Sequence, residues 1–191
     1  MHGQDACAIR PGDTVLVIGA GPIGIMHLLL ARLSGAARAL VAELSPARRK
    51  QALALGADRA IDPATEDLAQ AVRAETAGAG ADVILVAAPS DRAQQEALRA
   101  AAIGGRINFF GGLPKDRPTV ELDSNLVHYK ELVVTGTTAC STADCRRALA
   151  LINAGRLDLS GLVSDRFPLA DAARALRVAA EGHGLKVVLL P

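Results

Sequence analysis

Short apolar runs recur along the chain, each followed by a turn and then by a longer stretch rich in alanine and leucine at helical spacing. The first run is Thr14-Val15-Leu16-Val17-Ile18, and the helix-like stretch behind it covers Ile25 to Leu33. Further strands are predicted at Ala39 to Ala42, Arg59 to Ile61, Asp82 to Val86, Arg106 to Phe110 and Leu132 to Thr135. Between them the spacing predicts helices over Pro46 to Leu55, Thr65 to Thr76 and Asp91 to Ala102. Ser45 is a natural N-cap, Pro46 suits the first helical position, and Gly56 supplies a stop. Alternation of this kind closes into an α/β unit, a parallel sheet with helices on both faces, because right-handed crossovers leave few other routes.

The tail differs in kind. Thr142 to Asn153 reads as one more helix closed by Gly155, and then Leu162 to Phe167, Leu169 to Glu181 and Lys186 to Leu190 make a strand, helix, strand unit. A six-stranded sheet does not require these elements. The expected division is residues 1–138 for the sheet unit and 139–191 for the helix and tail.

The first strand empties into Gly19-Ala20-Gly21-Pro22-Ile23-Gly24, a G-x-G-x-x-G turn that opens a helix. Such a turn lays a pyrophosphate across a helix N-terminus: Gly19 allows the tight turn, Gly21 lets backbone amides approach the phosphates, and Gly24 lets helix and strand pack closely. The glycine pattern alone is weak, because glycine turns also merely punctuate chains. Here strand, motif, helix and second strand follow in register, and that strand ends in Glu43, at the offset of about 20 residues where an acid takes the adenosine ribose hydroxyls. The expected fold is therefore a Rossmann-type doubly wound six-stranded sheet with a short C-terminal tail. Its ligand belongs at the carboxyl ends of the strands.

Composition narrows the partners. The 191 residues carry 21 Lys and Arg against 20 Asp and Glu, without the basic excess of a nucleic-acid-binding surface. The densest basic run, Arg48-Arg49-Lys50, suits a solvated helix face. Apolar stretches fall short of the ~20 residues that span a bilayer, and Met1 to Asp5 lacks the features of a signal peptide. Cys7, Cys140 and Cys145 are odd in number and lack C-x-x-C spacing, which argues against a disulfide framework and against a zinc knuckle. A soluble protein of the reducing cytoplasm fits. His2, His27, His128 and His183 form no metal-ligating pair, and His27, inside the first helix, reads as a packed histidine. Cys140 and Cys145 read as core or partly buried thiols.

From Arg10-Pro11-Gly12-Asp13-Thr14-Val15 through Gly24 the chain resembles the medium-chain dehydrogenase/reductase superfamily, closest to its zinc-dependent alcohol and sorbitol dehydrogenase branch. The likeness continues through Leu55-Gly56-Ala57-Asp58, Gly104-Gly105-Arg106 and Phe110-Gly111-Gly112 into the tail. It concerns only the C-terminal, NAD-binding portion of such enzymes. Their zinc ligands, among them a Cys and a G-H-E motif, belong to a preceding catalytic domain. The resemblance thus implies a dinucleotide-binding portion of an alcohol or polyol dehydrogenase, inactive by itself, with no catalytic residue and no metal ligand in this chain. Zinc is expected only in a full-length member, and the tail would pack on the catalytic domain.

The same likeness assigns individual roles. Glu43 favours NAD by accepting both ribose hydroxyls and repelling a 2′-phosphate. Arg48 resembles a basic residue that reaches the adenosine ribose, although Arg48 or Arg49 taking a 2′-phosphate would leave NADP open. Ala87-Ala88-Pro89 matches a loop lining the adenine and nicotinamide-ribose side. Phe110-Gly111-Gly112-Leu113 and Thr135-Gly136-Thr137 match segments beside the nicotinamide, and Lys186 stands where some members approach the pyrophosphate. Ordinary strand-end turn chemistry accounts equally for these loops. A homodimer through edge strand Leu132 to Thr135 is implied as well. Two other readings remain at this point: a stand-alone nucleotide-sensing module, and a zinc-free quinone-reductase-like member that uses NADPH.

Overall fold

The computed structural model describes residues 1–182 and 184–191; His183 lies outside the described residues. Six parallel strands, β1 (Thr14–Ile18), β2 (Arg38–Ala42), β3 (Arg59–Ile61), β4 (Ala81–Val86), β5 (Ala101–Phe109) and β6 (Val133–Gly136), form one sheet in the order β3-β2-β1-β4-β5-β6. The order reverses between β2 and β4 on either side of β1. A crevice opens there at the carboxyl ends of the strands.

Four helices cross over between the first five strands: α2 (Pro22–Leu33), α3 (Pro46–Ala54), α4 (Leu68–Glu75) and α5 (Asp91–Ala100), preceded by α1 (His2–Cys7). Strand side chains alternate between two cores, as the period of two requires. Leu16, Leu40, Ile84 and Ile107 pack with Val72 and Leu98 on one face; Val15, Val17, Val41, Val83 and Leu85 pack with Ile25 and Leu28 on the other. Both cores are closed to solvent.

Most expected elements are present, and the departures have local causes. α2 starts at Pro22 rather than Ile25, because Gly21 is already its N-cap. The helix expected from Thr65 starts at Leu68: Glu66 N–H bonds to the Asp62 carbonyl in a turn, and the Asp67 carboxylate caps the helix by accepting from Gln70 N–H at 2.8 Å. β5 begins at Ala101, with Gly104-Gly105 carried inside a register shift, and so the helix before it ends at Ala100.

Two six-residue helices have no counterpart in the hydrophobic pattern. α1 packs on β4, β5 and β6, where the Gln4 amide donates to the His27 carbonyl at 2.6 Å. α6 (Ser124–Tyr129) is capped by Asp123. Lys130, just past it, donates to the carbonyls of Leu98, Arg99 and Ala101, closing the end of α5.

Beyond the sheet come α7 (Thr142–Asn153), β7 (Val163–Pro168), α8 (Ala172–Glu181) and β8 (Lys186–Leu190). A 3₁₀ turn at Leu169–Asp171 replaces the start of the last expected helix. β7 and β8 form a separate parallel pair. Leu162 and Leu185 reach back into the core beside α2, and the Arg174 guanidinium covers the Phe167 ring. Among the described residues no helix is long and apolar enough to cross a membrane.

Candidate functional site

The glycine turn is built for close approach. Gly19 sits at φ +98°, a region that L side chains rarely adopt, and its N–H bonds to the Ala42 carbonyl at 2.7 Å. A Cβ on Gly24 would overlap the Gly19 carbonyl, so only glycine lets α2 lie this close to the turn. Around Gly21, by contrast, the position of a side chain is open space. With Gly21 as N-cap and Pro22 at the first position, the amides of Ile23 and Gly24 lack intrahelical acceptors and face the mouth of the helix. That combination of clear space, free donors and the positive end of the macrodipole suits an anion.

Glu43 stands across the mouth. One carboxylate oxygen accepts from Ala20 N–H at 2.7 Å and the other from Ser45 N–H at 2.9 Å. A carboxylate has roughly four acceptor positions, so two remain after the backbone has fixed its orientation. Behind it a cavity of about 250 Å³ runs between the ends of β2 and β4. Its walls include Leu44, Pro63, Leu68 and Ala88, and its rim carries Glu66, Glu96 and Arg92. The lining is mainly apolar, and Glu43 is part of it.

The structure distributes the other expected residues unevenly. Gly19, Glu43 and Ala88 line that cavity together. Ala87 packs on the core beside α2, while Pro89 is exposed in the same loop. Arg48 turns away: Nη2 donates to the Gly184 carbonyl at 3.5 Å, toward the tail. Arg49 is spent on the Glu43 and Leu44 carbonyls and on Asp62. Lys186 is exposed on β8.

Farther along the sheet edge, Phe110 points inward, its ring edge-on to His27 with centroids 4.8 Å apart. Burial holds His27 neutral, with its pKa lowered to about 4. The Gly111 carbonyl accepts from the Gln94 amide, and Gly112 is exposed. The hydroxyls of Thr135 and Thr137 are both tied to Asn108, a fully buried amide. The Thr135 hydroxyl accepts from Asn108 and donates to the Ile107 carbonyl, whereas the Thr137 hydroxyl spends its proton on Asn108 and keeps its acceptor positions.

Asn108 and the cavity-lining residues Leu44, Pro63, Leu68, Arg92 and Glu96 were not expected from the sequence. The walls come from loops and first helical turns that meet only once the sheet is wound. The rule that ligands lie at strand carboxyl ends would have pointed to the starts of α4 and α5.

Cys7, the last residue of α1, is buried, and desolvation pushes its thiol up to about 11 against the opposing influence of Arg106 and a bond to Thr135. Cys140 and Cys145 correct the expectation of partly buried thiols: both are exposed, because they flank the start of α7 on its outer side. The donor set does not suit a zinc ion. Among the described residues no three His, Cys, Asp or Glu side chains come together as metal ligands.

Known proteins share this fold. The family model described as "Zinc-binding dehydrogenase" matches residues 22–154. L-threonine 3-dehydrogenase of Caldanaerobacter subterraneus subsp. tengcongensis is 34% identical over 182 residues, covering 94% of this chain and 52% of that enzyme. L-threonine 3-dehydrogenase of Bacillus subtilis is 31% identical over 181 residues, again 94% and 52%. Among solved structures, alcohol dehydrogenase TADH from Thermus sp. ATN1 superposes with a TM-score of 0.90 at 31% identity, over 98% of this chain and 54% of that one. A protein of Sinorhizobium meliloti 1021 assigned as a zinc-binding dehydrogenase and bound to NADP gives 0.91 at 29%, over 100% and 56%. The chain thus spans about half the length of the relatives it matches. It belongs to the zinc-binding dehydrogenases of the medium-chain dehydrogenase/reductase superfamily and corresponds to their Rossmann-fold, NAD-binding half.

Proposed function

We propose that this chain holds NAD(H) for a zinc-type dehydrogenase that passes hydride between an alcohol carbon and the nicotinamide. The pyrophosphate would lie across the turn at Gly21 and Pro22 on the N–H groups of Ile23 and Gly24, with the adenine between Leu44, Leu68 and Ala88. Glu43 would accept the ribose hydroxyls. Ala87-Ala88-Pro89, Phe110-Gly111-Gly112 and Thr135-Gly136-Thr137 would border the nicotinamide half through backbone groups. Arg48 has its guanidinium committed toward the tail and would reach the ribose only after a rotamer change.

The observation that carries this reading is the Glu43 carboxylate, pinned by two backbone amides at the rim of an apolar cavity. Both a 2′-phosphate and this carboxylate are anionic, and the cavity lining already holds Glu66, Asp67 and Glu96 against one Arg92. NAD is therefore favoured over NADP, even though the Sinorhizobium meliloti relative was captured with NADP. The bound dinucleotide supplies the hydride acceptor, and this chain's residues hold and orient it. Zinc as Lewis acid, and the choice of alcohol, would belong to a catalytic domain that supplies the missing ligands.

Two assembly proposals accompany this one. Residues 139–191 would pack on that catalytic domain through Leu169, Leu176, Leu189 and Leu190, which are 40–70% exposed. β6 has β5 on one side only, and its open edge would pair with the same strand of a second copy. A monomer by sedimentation at micromolar concentration would count against the second.

Calorimetric titration of NADH and NADPH tests the central claim. Wild type should bind NADH more tightly, and Glu43→Ala should lose NADH affinity by about tenfold or more, as expected for charge-assisted hydrogen bonds, while NADPH gains. Tighter NADPH binding by wild type would overturn the NAD assignment.

A further inference from the structure

The start of α7 carries an arrangement that dinucleotide binding does not use. Ser141 is the N-cap and Asp144 the third helical residue, and they form a reciprocal capping box: the Ser141 hydroxyl accepts from Asp144 N–H at 3.1 Å, and the Asp144 carboxylate accepts from Ser141 N–H at 2.9 Å. The residue before such a cap and the fourth residue of the helix meet side by side, usually as an apolar staple. Here those two positions are Cys140 and Cys145, with their sulfurs 3.6 Å apart. An ordinary staple hides hydrocarbon, whereas these sulfurs are both open to solvent.

We propose that Cys140 and Cys145 are a reversible dithiol that closes to an intramolecular disulfide by exchange with a low-molecular-weight disulfide. One thiolate attacks a sulfur of the small disulfide, forming a mixed disulfide and releasing one small thiolate. The second protein thiolate then attacks the protein-side sulfur, the mixed bond breaks, and the other small thiolate leaves. The protein loses two electrons and two protons, and the small disulfide becomes two thiols.

The capping box is what favours the second step. It fixes the backbone between the two cysteines, so the resolving thiol waits beside the mixed disulfide instead of searching for it. The Cys140 thiol is raised above its ordinary value, first by its side-chain hydrogen bond with Cys145. Cys7 has neither a partner sulfur nor access, being 1% exposed, and serves as an internal control.

The test equilibrates the protein in glutathione redox buffers, quenches with iodoacetamide and reads intact and peptide masses. The expected wild-type product has lost two hydrogens, joins Cys140 to Cys145 within one chain, reverts with dithiothreitol and leaves Cys7 reduced. Cys140→Ser and Cys145→Ser should instead accumulate a glutathione adduct on the remaining thiol. Ser141→Ala with Asp144→Ala should lower the equilibrium constant for ring closure about fivefold, the effect of losing a helix cap. Wild type that accumulates glutathione adducts like the single variants, or that cross-links between chains, would overturn the proposal. So would two thiols that stay alkylatable at every redox ratio.

Discussion

The six-stranded unit and the C-terminal strand pair are built from similar apolar runs, yet they end up in different states of completion. In the sheet, Val15, Leu16, Val17, Leu40, Val41, Ile84 and Leu85 are sealed between two helical layers. In the tail, Leu162, Ala175 and Leu185 are sealed, but Leu176 is 70% exposed and Leu169 60%. A parallel strand needs cover on both faces. The sheet finds that cover within its own crossovers, whereas the β7–β8 pair has one helix and a single anchorage on the core beside α2. Apolar faces left this open are what a second domain would cover.

The largest expected contrast between the two regions is a matched pair of truncations. Leu16→Ala removes a fully buried side chain and should cost about 2–5 kcal/mol of unfolding free energy. Leu189→Ala, at a 40% exposed position in β8, should cost under ~1 kcal/mol. Urea denaturation of both variants reads the difference, and equal costs would show that the tail is packed as completely as the sheet.

A second contrast uses pH. His27 is buried against Phe110 with its pKa lowered to about 4 from 6.5, so below 6.5 the unfolded chain binds a proton that the folded one refuses. Stability from this group is complete above pH 6.5 and is lost as pH falls toward 4, by about 3 kcal/mol in all. Denaturation midpoints from pH 7 to 4 should show that slope, and His27→Gln should flatten it. An unchanged slope in the variant would assign the acid sensitivity to other groups. The smallest effect belongs to the tail surface: Leu176→Glu should shift isolated-chain stability by no more than ~0.5 kcal/mol. A larger loss would mean that α8 is already covered.

Legibility in the sequence followed how local the determinants are. The helix Thr142–Asn153 and the strands Arg59–Ile61 and Lys186–Leu190 have the boundaries the pattern predicts, because caps, glycines and apolar runs mark their ends. α1 and α6 escaped because six residues make under two turns and show no period, and α1 has no side-chain cap at all. β5 was cut short because Gly104-Gly105 reads as punctuation, whereas the structure carries it as an irregularity within the strand.

For the site, the glycine turn and Glu43 could be read from spacing, since strand, turn and acid lie within 30 residues of each other. The apolar walls could not. Leu44, Leu68 and Ala88 belong to three different connections, and Asn108 holds Thr135 and Thr137 from a neighbouring strand. The exposure of Cys140 and Cys145 was likewise invisible, because helix periodicity says which side chains share a face but not which face the rest of the fold covers.

The place of β1 at the middle of the sheet has a consequence during synthesis. Its second neighbour, β4, pairs Val83 with Val15, and so does not exist until dozens of further residues have been polymerised. At ribosomal rates of ~5–20 residues per second, that interval is on the order of 3–14 s. Throughout it Val15, Leu16, Val17 and Ile18 lack the strand that pairs with them on that side.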